Sequence, residues 1–265
     1  MTPNSKSDRD FPWWLVILGV TAFVLFYQVW VSNVYSAAMA TLAKGIWVTI
    51  FVTVVGYSMA CALGLGLAVM GLSQFVWLRQ IARLYIEVVR GVPIIVLLLY
   101  VAFVAAPAFV YAWNWMVEPL GTMPLKTRDF PLIWRAIIAL TLAYSAFLAE
   151  IFRAGLQAVD KGQIEAAQAL GLSGWQQFRH IVFPQALRMI LPPLGNDFVA
   201  MVKDSSLVSV LGVADIAQLG KVTAAGNFRY FETYNLVALL YLTMTITLSL
   251  VLRRIETRLK ARQQR

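Results

Sequence analysis

"EAAQALGLSGWQQFRHIVFP", residues 165–184, is a polar and sharply punctuated stretch in the middle of an apolar chain. Residues 161–170, KGQIEAAQAL, are mostly good helix formers. Gly171 follows Leu170, where a left-handed residue stops a helix. Ser173 with Gln176 three positions on makes an S-x-x-Q capping box. A second helix is expected over 174–183, ended by Pro184. The stretch therefore reads as helix, tight turn, helix. Ala166, Ala167 and Ala169 are small enough to fit closely into a groove on a partner. An ordinary amphipathic loop is the plainer alternative, and such short helical pairs are common. Local pattern leaves both open.

The surrounding composition sets the solvent. Of 265 residues, 60% are hydrophobic and 13% are charged, with a mean hydropathy of +0.71. A soluble domain carries roughly 25% charged residues. The deficit, together with long uncharged runs, indicates a polytopic membrane helix bundle with no separate soluble domain. The net charge of +9 does not indicate nucleic acid, because Lys and Arg flank the apolar runs rather than form a face of their own. Cys61 is the one cysteine, so no internal disulfide is possible, and it reads as a small packing residue. His180 is the one histidine, beside Arg179 in the polar stretch, and reads as solvated.

Six apolar runs are long enough to cross a bilayer, which takes about 20 residues. Residues 12–31 form the first, after Lys6 and Arg9. It is expected to be an uncleaved anchor. The alternative is a cleaved signal ending near Ala38-Met39-Ala40, but the run exceeds an h-region of about 7–15 residues. The second covers 45–70, with Gly56, Ala60 and Gly64 on one face at four-residue spacing, a pattern that lets helices approach closely. The third covers 92–115, with Pro93 harmless in its first turn and Pro107 expected to kink it. A mixed segment rich in Pro and aromatics follows, over 114–134. The fourth run is 135–156, and the fifth is 187–206, interrupted by Pro192, Pro193 and polar residues. A short helix is expected around 214–222, and the sixth run is 234–252.

Basic residues orient the bundle. Six lie in the tail from Arg253, three in the 71–91 loop and four over 153–188. The positive-inside rule then puts the N-terminus, the 71–91 loop, the 165–184 stretch and the tail in the cytoplasm. The expected partition is 1–44 as a tail plus an additional helix, 45–254 as the transmembrane domain with a loop at about 159–185, and 255–265 as a basic cytoplasmic tail.

The 165–184 stretch also carries a pattern. Glu165-Ala166-Ala167, three residues, Gly171, nine residues, Ile181 and then Pro184 resembles the EAA motif of ABC importer permeases. Phe183 stands where the family form has Leu. Residues 85–100, 149–171 and 191–213 resemble the polar-amino-acid branch, with Val92 in place of that branch's Thr. The likeness spans about 45–254 and leaves the first helix as an addition to a usual five-helix core. It implies a type I ABC importer permease fold in a bacterial inner membrane, importing a polar or charged amino acid. It implies that Glu165, Ala166, Ala167, Gly171, Ile181 and Pro184 form a coupling helix docking on ABC ATPase subunits. It also implies an extracytoplasmic substrate-binding protein and a second copy or sibling permease as partners. This chain has no G-x-x-x-x-G-K-[ST] phosphate loop, so ATP and Mg are expected on the partner subunit and no cofactor on this one.

Charges inside apolar runs are costly and usually face a cavity or a bundle interior. Lys203, Asp204, Ser205 and Ser206 in the fifth run are therefore candidates for a substrate pathway or gate. Being adjacent, Lys203 and Asp204 do not face each other on a helix, so one meets a partner elsewhere or the helix breaks there. Asn196 and Asp197 follow Gly195 and two prolines at an expected bend. Glu150 and Arg153 are spaced to pair, either as a snorkelling interface pair or with Glu150 facing the pathway. The other functional classes are an ATP-independent secondary transporter or channel, an ABC permease for another small solute, and an intramembrane enzyme. An inverted repeat or dense intramembrane carboxylates would mark a secondary transporter, and a nucleophile–base pair or metal cluster an enzyme. The sequence offers neither.

Overall fold

The computed structural model describes residues 13–120 and 123–261. The N-terminal tail with Lys6 and Arg9, and the last residues of the basic tail, lie outside the described residues.

Helix α1 (Trp13–Val31) turns at Ser32 into α2 (Asn33–Gly71), a 39-residue helix roughly 58 Å long. Helix α3 (Val76–Gly91) leads to α4 (Ile94–Tyr100), a π turn (Val101–Ala105) and α5 (Ala106–Val117). Helix α6 (Leu132–Gln157) precedes α7 (Lys161–Ala169) and α8 (Gly174–Gln177). A second π turn (Phe178–Val182) runs into α9 (Phe183–Asp204), and a 3₁₀ turn (Ser205–Leu211) follows. Helices α10 (Ile216–Asn227) and α11 (Tyr230–Ala261) complete the bundle. Among the described residues there is no strand.

Among the described residues, four helices are long and apolar enough to cross a membrane: Asn33–Gly71, Ile94–Val117, Leu132–Gln157 and Tyr230–Ile255. The apolar α1 is shorter in its described part, and α9 carries Arg188, Asp197, Lys203 and Asp204. The helices outnumber the six expected crossings because α3, α7, α8 and α10 are short segments between the long ones.

The centre is α6. Two-thirds of its apolar window (67%) is buried, against 11% for α11. It packs along α2 where Gly64 leaves no room: a Cβ there would sit 3.0 Å from Leu148 Cβ and the Ser145 carbonyl. Gly56 and Ala60 lie buried on the same face, as the small-residue spacing predicts. Farther along α2, a Cβ on Gly45 would come within 2.5 Å of the Ile216 nitrogen, so only glycine admits the start of α10. That start is fixed by Asp215, fully buried, whose carboxylate accepts the Gln218 N–H (2.8 Å) and the Tyr241 hydroxyl (3.0 Å). Burial pushes this carboxyl up, and those two donors oppose the rise.

Two expectations about proline need correction. Pro184 does not end the second helix: the chain widens into a π turn over Phe178–Val182 and continues as α9. Nor do Pro192 and Pro193 interrupt α9, which stays helical from Phe183 to Asp204. Packing holds it, with Ile190 against Gly155 and Leu252 against Gly195, and outweighs the local cost of the two missing N–H groups. Cys61 is half-buried against the main core.

Candidate functional site: a capped loop and a polar helix

The loop between α6 and α9 is fixed by local hydrogen bonds. Asp160 caps α7, its carboxylate accepting the Gly162 N–H at 2.7 Å. At the other end Gly171 has φ +76°. The Leu172 N–H reaches the Ala167 carbonyl (3.1 Å), and the Gly171 N–H reaches that of Gln168 (2.9 Å), the paired bonds of a Schellman motif. The capping box forms as the sequence predicts: the Ser173 N–H donates to Gln176 Oε1 at 2.9 Å, and the Gln176 N–H donates to Ser173 Oγ at 3.4 Å. The Gln185 amide bonds Gln163 at 2.6 Å and ties α7 back to α9.

This loop has an inner and an outer side. Ala167 is buried, so within the Glu165-Ala166-Ala167 triplet it packs against its own chain, while Glu165 and Ala166 are exposed. Ile181 and Pro184 are half-buried. Gly171 is exposed, and a Cβ there would meet nothing within 4 Å, so its backbone angle alone demands glycine. The sequence reading missed the apolar outer side. Leu170 is 82% exposed and Trp175 66%, and Trp175 stacks on Phe178, which contacts Phe183, each at 5.8 Å. Large apolar side chains inside an otherwise polar stretch were the available signal.

The polar residues of α9 divide by environment. Asp204 is half-buried and accepts the Tyr144 hydroxyl of α6 at 2.8 Å. Lys203 is exposed on another side. Both expected outcomes hold, since Asp204 finds a partner on another helix and α9 ends there in a 3₁₀ turn. Ser205 is buried and donates to the Val202 carbonyl at 2.7 Å. Asn196 is exposed and Asp197 half-buried, one turn from the Leu194 carbonyl that accepts the Tyr57 hydroxyl at 2.6 Å. Glu150 and Arg153 form the i,i+3 ion pair, partly open to solvent. They line a cleft of about 390 Å³ between α2, α3 and α6, with Arg83, Glu87 and Gln157. The structure thus joins Asp204 to α6 and Glu150 to Arg153, and keeps the polar positions of α9 apart from the capped loop. His180 is exposed, its Nδ1 3.0 Å from the Gln176 carbonyl. Among the described residues no cluster of His, Cys, Asp and Glu fits a metal ion.

Comparison with known proteins places this architecture. Residues 60–265 match the family model described as "Binding-protein-dependent transport system inner membrane component". The glutamine transport system permease protein GlnP of Escherichia coli (strain K12) is 35% identical over 224 residues, 84% of this chain and 94% of that protein. The probable amino-acid permease protein YxeN of Bacillus subtilis (strain 168) is 36% identical, covering 81% of this chain and 89% of the relative. The L-cystine transport system permease protein TcyL of the same organism is 32% identical, covering 88% and 93%. Among solved structures, the crystal structure of an amino acid ABC transporter with histidines aligns with a TM-score of 0.70 and 35% identity over 83% of this chain and 94% of that one. The MetNI methionine ABC transporter in an inward-facing conformation shares the fold at TM-score 0.63 and 21% identity over 83% and 97%. An apolar helix bundle with a capped polar loop, matched over most of its length by these permeases, belongs to the family of inner membrane components of binding-protein-dependent transport systems.

Proposed function

We propose that this chain is the permease subunit of an ABC importer and carries a polar or charged amino acid through a bacterial inner membrane. The observation that supports it most is the set of relatives above 30% identity named for the transport of glutamine, of cystine and of an unspecified amino acid. The substrate arrives from an extracytoplasmic binding protein. The pore forms between this chain and a second copy or a sibling permease.

In this reading both termini and the α6–α9 loop face the cytoplasm, where the Lys and Arg excess lies. ATP and Mg belong to separate ATPase subunits. The outer side of the loop, Glu165, Ala166, Leu170 and Trp175, meets a cleft on each ATPase, and Ala167, Ile181 and Pro184 hold its shape. Rigid capping suits this role, because a loop that transmits a push must not absorb it in its own backbone. ATP binding draws the ATPase subunits together and moves the docked loops. The α9 connection carries the movement to the pathway, where Glu150, Asn196, Asp197, Lys203 and Asp204 provide polar surface and buried Ser205 ties the end of α9 to the Val202 carbonyl.

The test is uptake by the reconstituted complex of permease, ATPase and binding protein, with a panel of labelled amino acids. ATP-dependent uptake of a polar or charged amino acid is expected. Uptake of a sugar or metal in place of every amino acid would overturn the substrate class. Uptake without an ATPase subunit would favour a secondary transporter or channel.

A further inference from the structure

Arg135, in the first turn of α6, is buried with 6% exposure. Its Nε donates to the Phe130 carbonyl at 2.9 Å, Nη1 to the Ala102 carbonyl at 2.9 Å, and Nη2 to the Thr127 carbonyl. The guanidinium also lies 5.8 Å from the centre of the Phe130 ring. Among the described residues no carboxylate forms an ion pair with it. A buried cation is costly unless its donors are used, and here backbone carbonyls from two separate segments use them.

The Ala102 carbonyl is available for a reason written in the sequence. In the Val101–Ala105 π turn, the Ala106 N–H bonds the Val101 carbonyl. The next carbonyl, that of Ala102, would then take the N–H of residue 107, which is proline and has none. Arg135 supplies the missing donor. The other two carbonyls lie in residues 123–130, a segment held at its far end by Asn114 of α5. The Asn114 side chain donates to the Leu125 carbonyl and accepts its N–H, both at 2.8 Å. Inside the segment, the Asp129 carboxylate accepts the Lys126 N–H at 2.9 Å.

We propose that Arg135 is a positioning residue that locks residues 123–130 to the π turn of the Ile94–Val117 span, so that the two move as one body. A force on residues 123–130 then reaches the one point of the span where the α-helical bonding pattern changes. π turns inside α-helices frequently sit at functional positions. The proposal needs only the contacts of this chain and stands apart from the choice of substrate.

Hydrogen exchange on the full chain in lipid nanodiscs tests it. Arg135→Gln should speed exchange about tenfold or more in both 101–106 and 123–130, the equivalent of losing a charge-assisted hydrogen bond at each. Arg135→Lys should give an intermediate effect, since an ammonium cannot reach three carbonyls in a plane. Pro107→Ala restores a backbone donor near Ala102. In that background, Arg135→Gln should loosen 123–130 while 101–106 stays protected. This rescue is specific to the lock, and a general loss of packing would not produce it. If Arg135→Gln lowers expression, Arg135→Lys with and without Pro107→Ala carries the same comparison. With the native Pro107 in place, loosening of 123–130 without loosening of 101–106 would overturn the proposal, and so would equal loosening of 101–106 with and without Pro107→Ala.

Discussion

The two π turns begin from the same sequence device and end differently. Val101–Ala105 lies before Pro107, and Phe178–Val182 lies before Pro184, each proline two residues past the turn. In both, widening the helix absorbs a proline that would otherwise break it. At the first turn the freed carbonyl is taken by buried Arg135, which ties the span to α6 and to residues 123–130. At the second, the corresponding carbonyl belongs to exposed Arg179, and no side chain among the described residues replaces the lost donor. The first is a joint clamped by a charge, and the second is a joint left open to solvent beside the capped loop. A proline-linked π turn therefore does not set stiffness by itself. The donor that finds the orphaned carbonyl does.

This contrast can be broken by mutation, and Arg135 carries the largest expected effect on the bundle. Arg135→Gln should destabilise the bundle by about 1–3 kcal/mol, the cost of leaving buried carbonyls unsatisfied. Gln185→Ala, which removes the nearest side-chain bonds at the open turn, should stay within about 0.5 kcal/mol. Denaturant unfolding in detergent micelles measures both, and equal shifts would erase the distinction between the joints. Ser173→Ala should cost about 1 kcal/mol through the lost cap. That loss should appear as faster exchange over 174–177, with the unfolding midpoint of the bundle unchanged. Asp204→Asn keeps an acceptor for the Tyr144 hydroxyl, so assembly should survive. Uptake should fall severalfold if the charge serves the pathway, and normal uptake would remove Asp204 from it. Glu165→Lys changes an exposed side chain and should leave stability untouched. Its effect should be confined to weaker association with the ATPase subunit, read by co-purification.

Much of this was legible in the sequence, and what was not has identifiable causes. Hydropathy located the long apolar helices to within a few residues except the start of α2 and the end of α11, because burial in lipid requires sustained apolar runs. Gly171 and the Ser173–Gln176 box were readable because caps are local and their geometry tolerates few residue types. Pro184 was misread as a terminator because a lost N–H is a local cost, while the π turn and α9 packing that offset it are tertiary. Arg135 gave no signal as a site residue, because carbonyl partners are present at every position and leave no mark on composition. The Tyr144–Asp204 bond joins residues 60 apart, and charge periodicity along one helix cannot name a partner on another.

The capped loop is the centre of the proposed coupling, and Gly171 tests it most directly. Its φ of +76° lies where a β-branched residue is strained, yet a Cβ there has open space around it. Gly171→Val should therefore cost about 1–2 kcal/mol of local strain and alter the turn without disturbing the bundle. The measurement is ATP hydrolysis by the reconstituted complex, with and without loaded binding protein. The expected result is a permease present at normal levels in the membrane, with hydrolysis no longer stimulated by binding protein. Full stimulation together with full uptake in Gly171→Val would show that residues 160–183 do not couple the permease to its energy source.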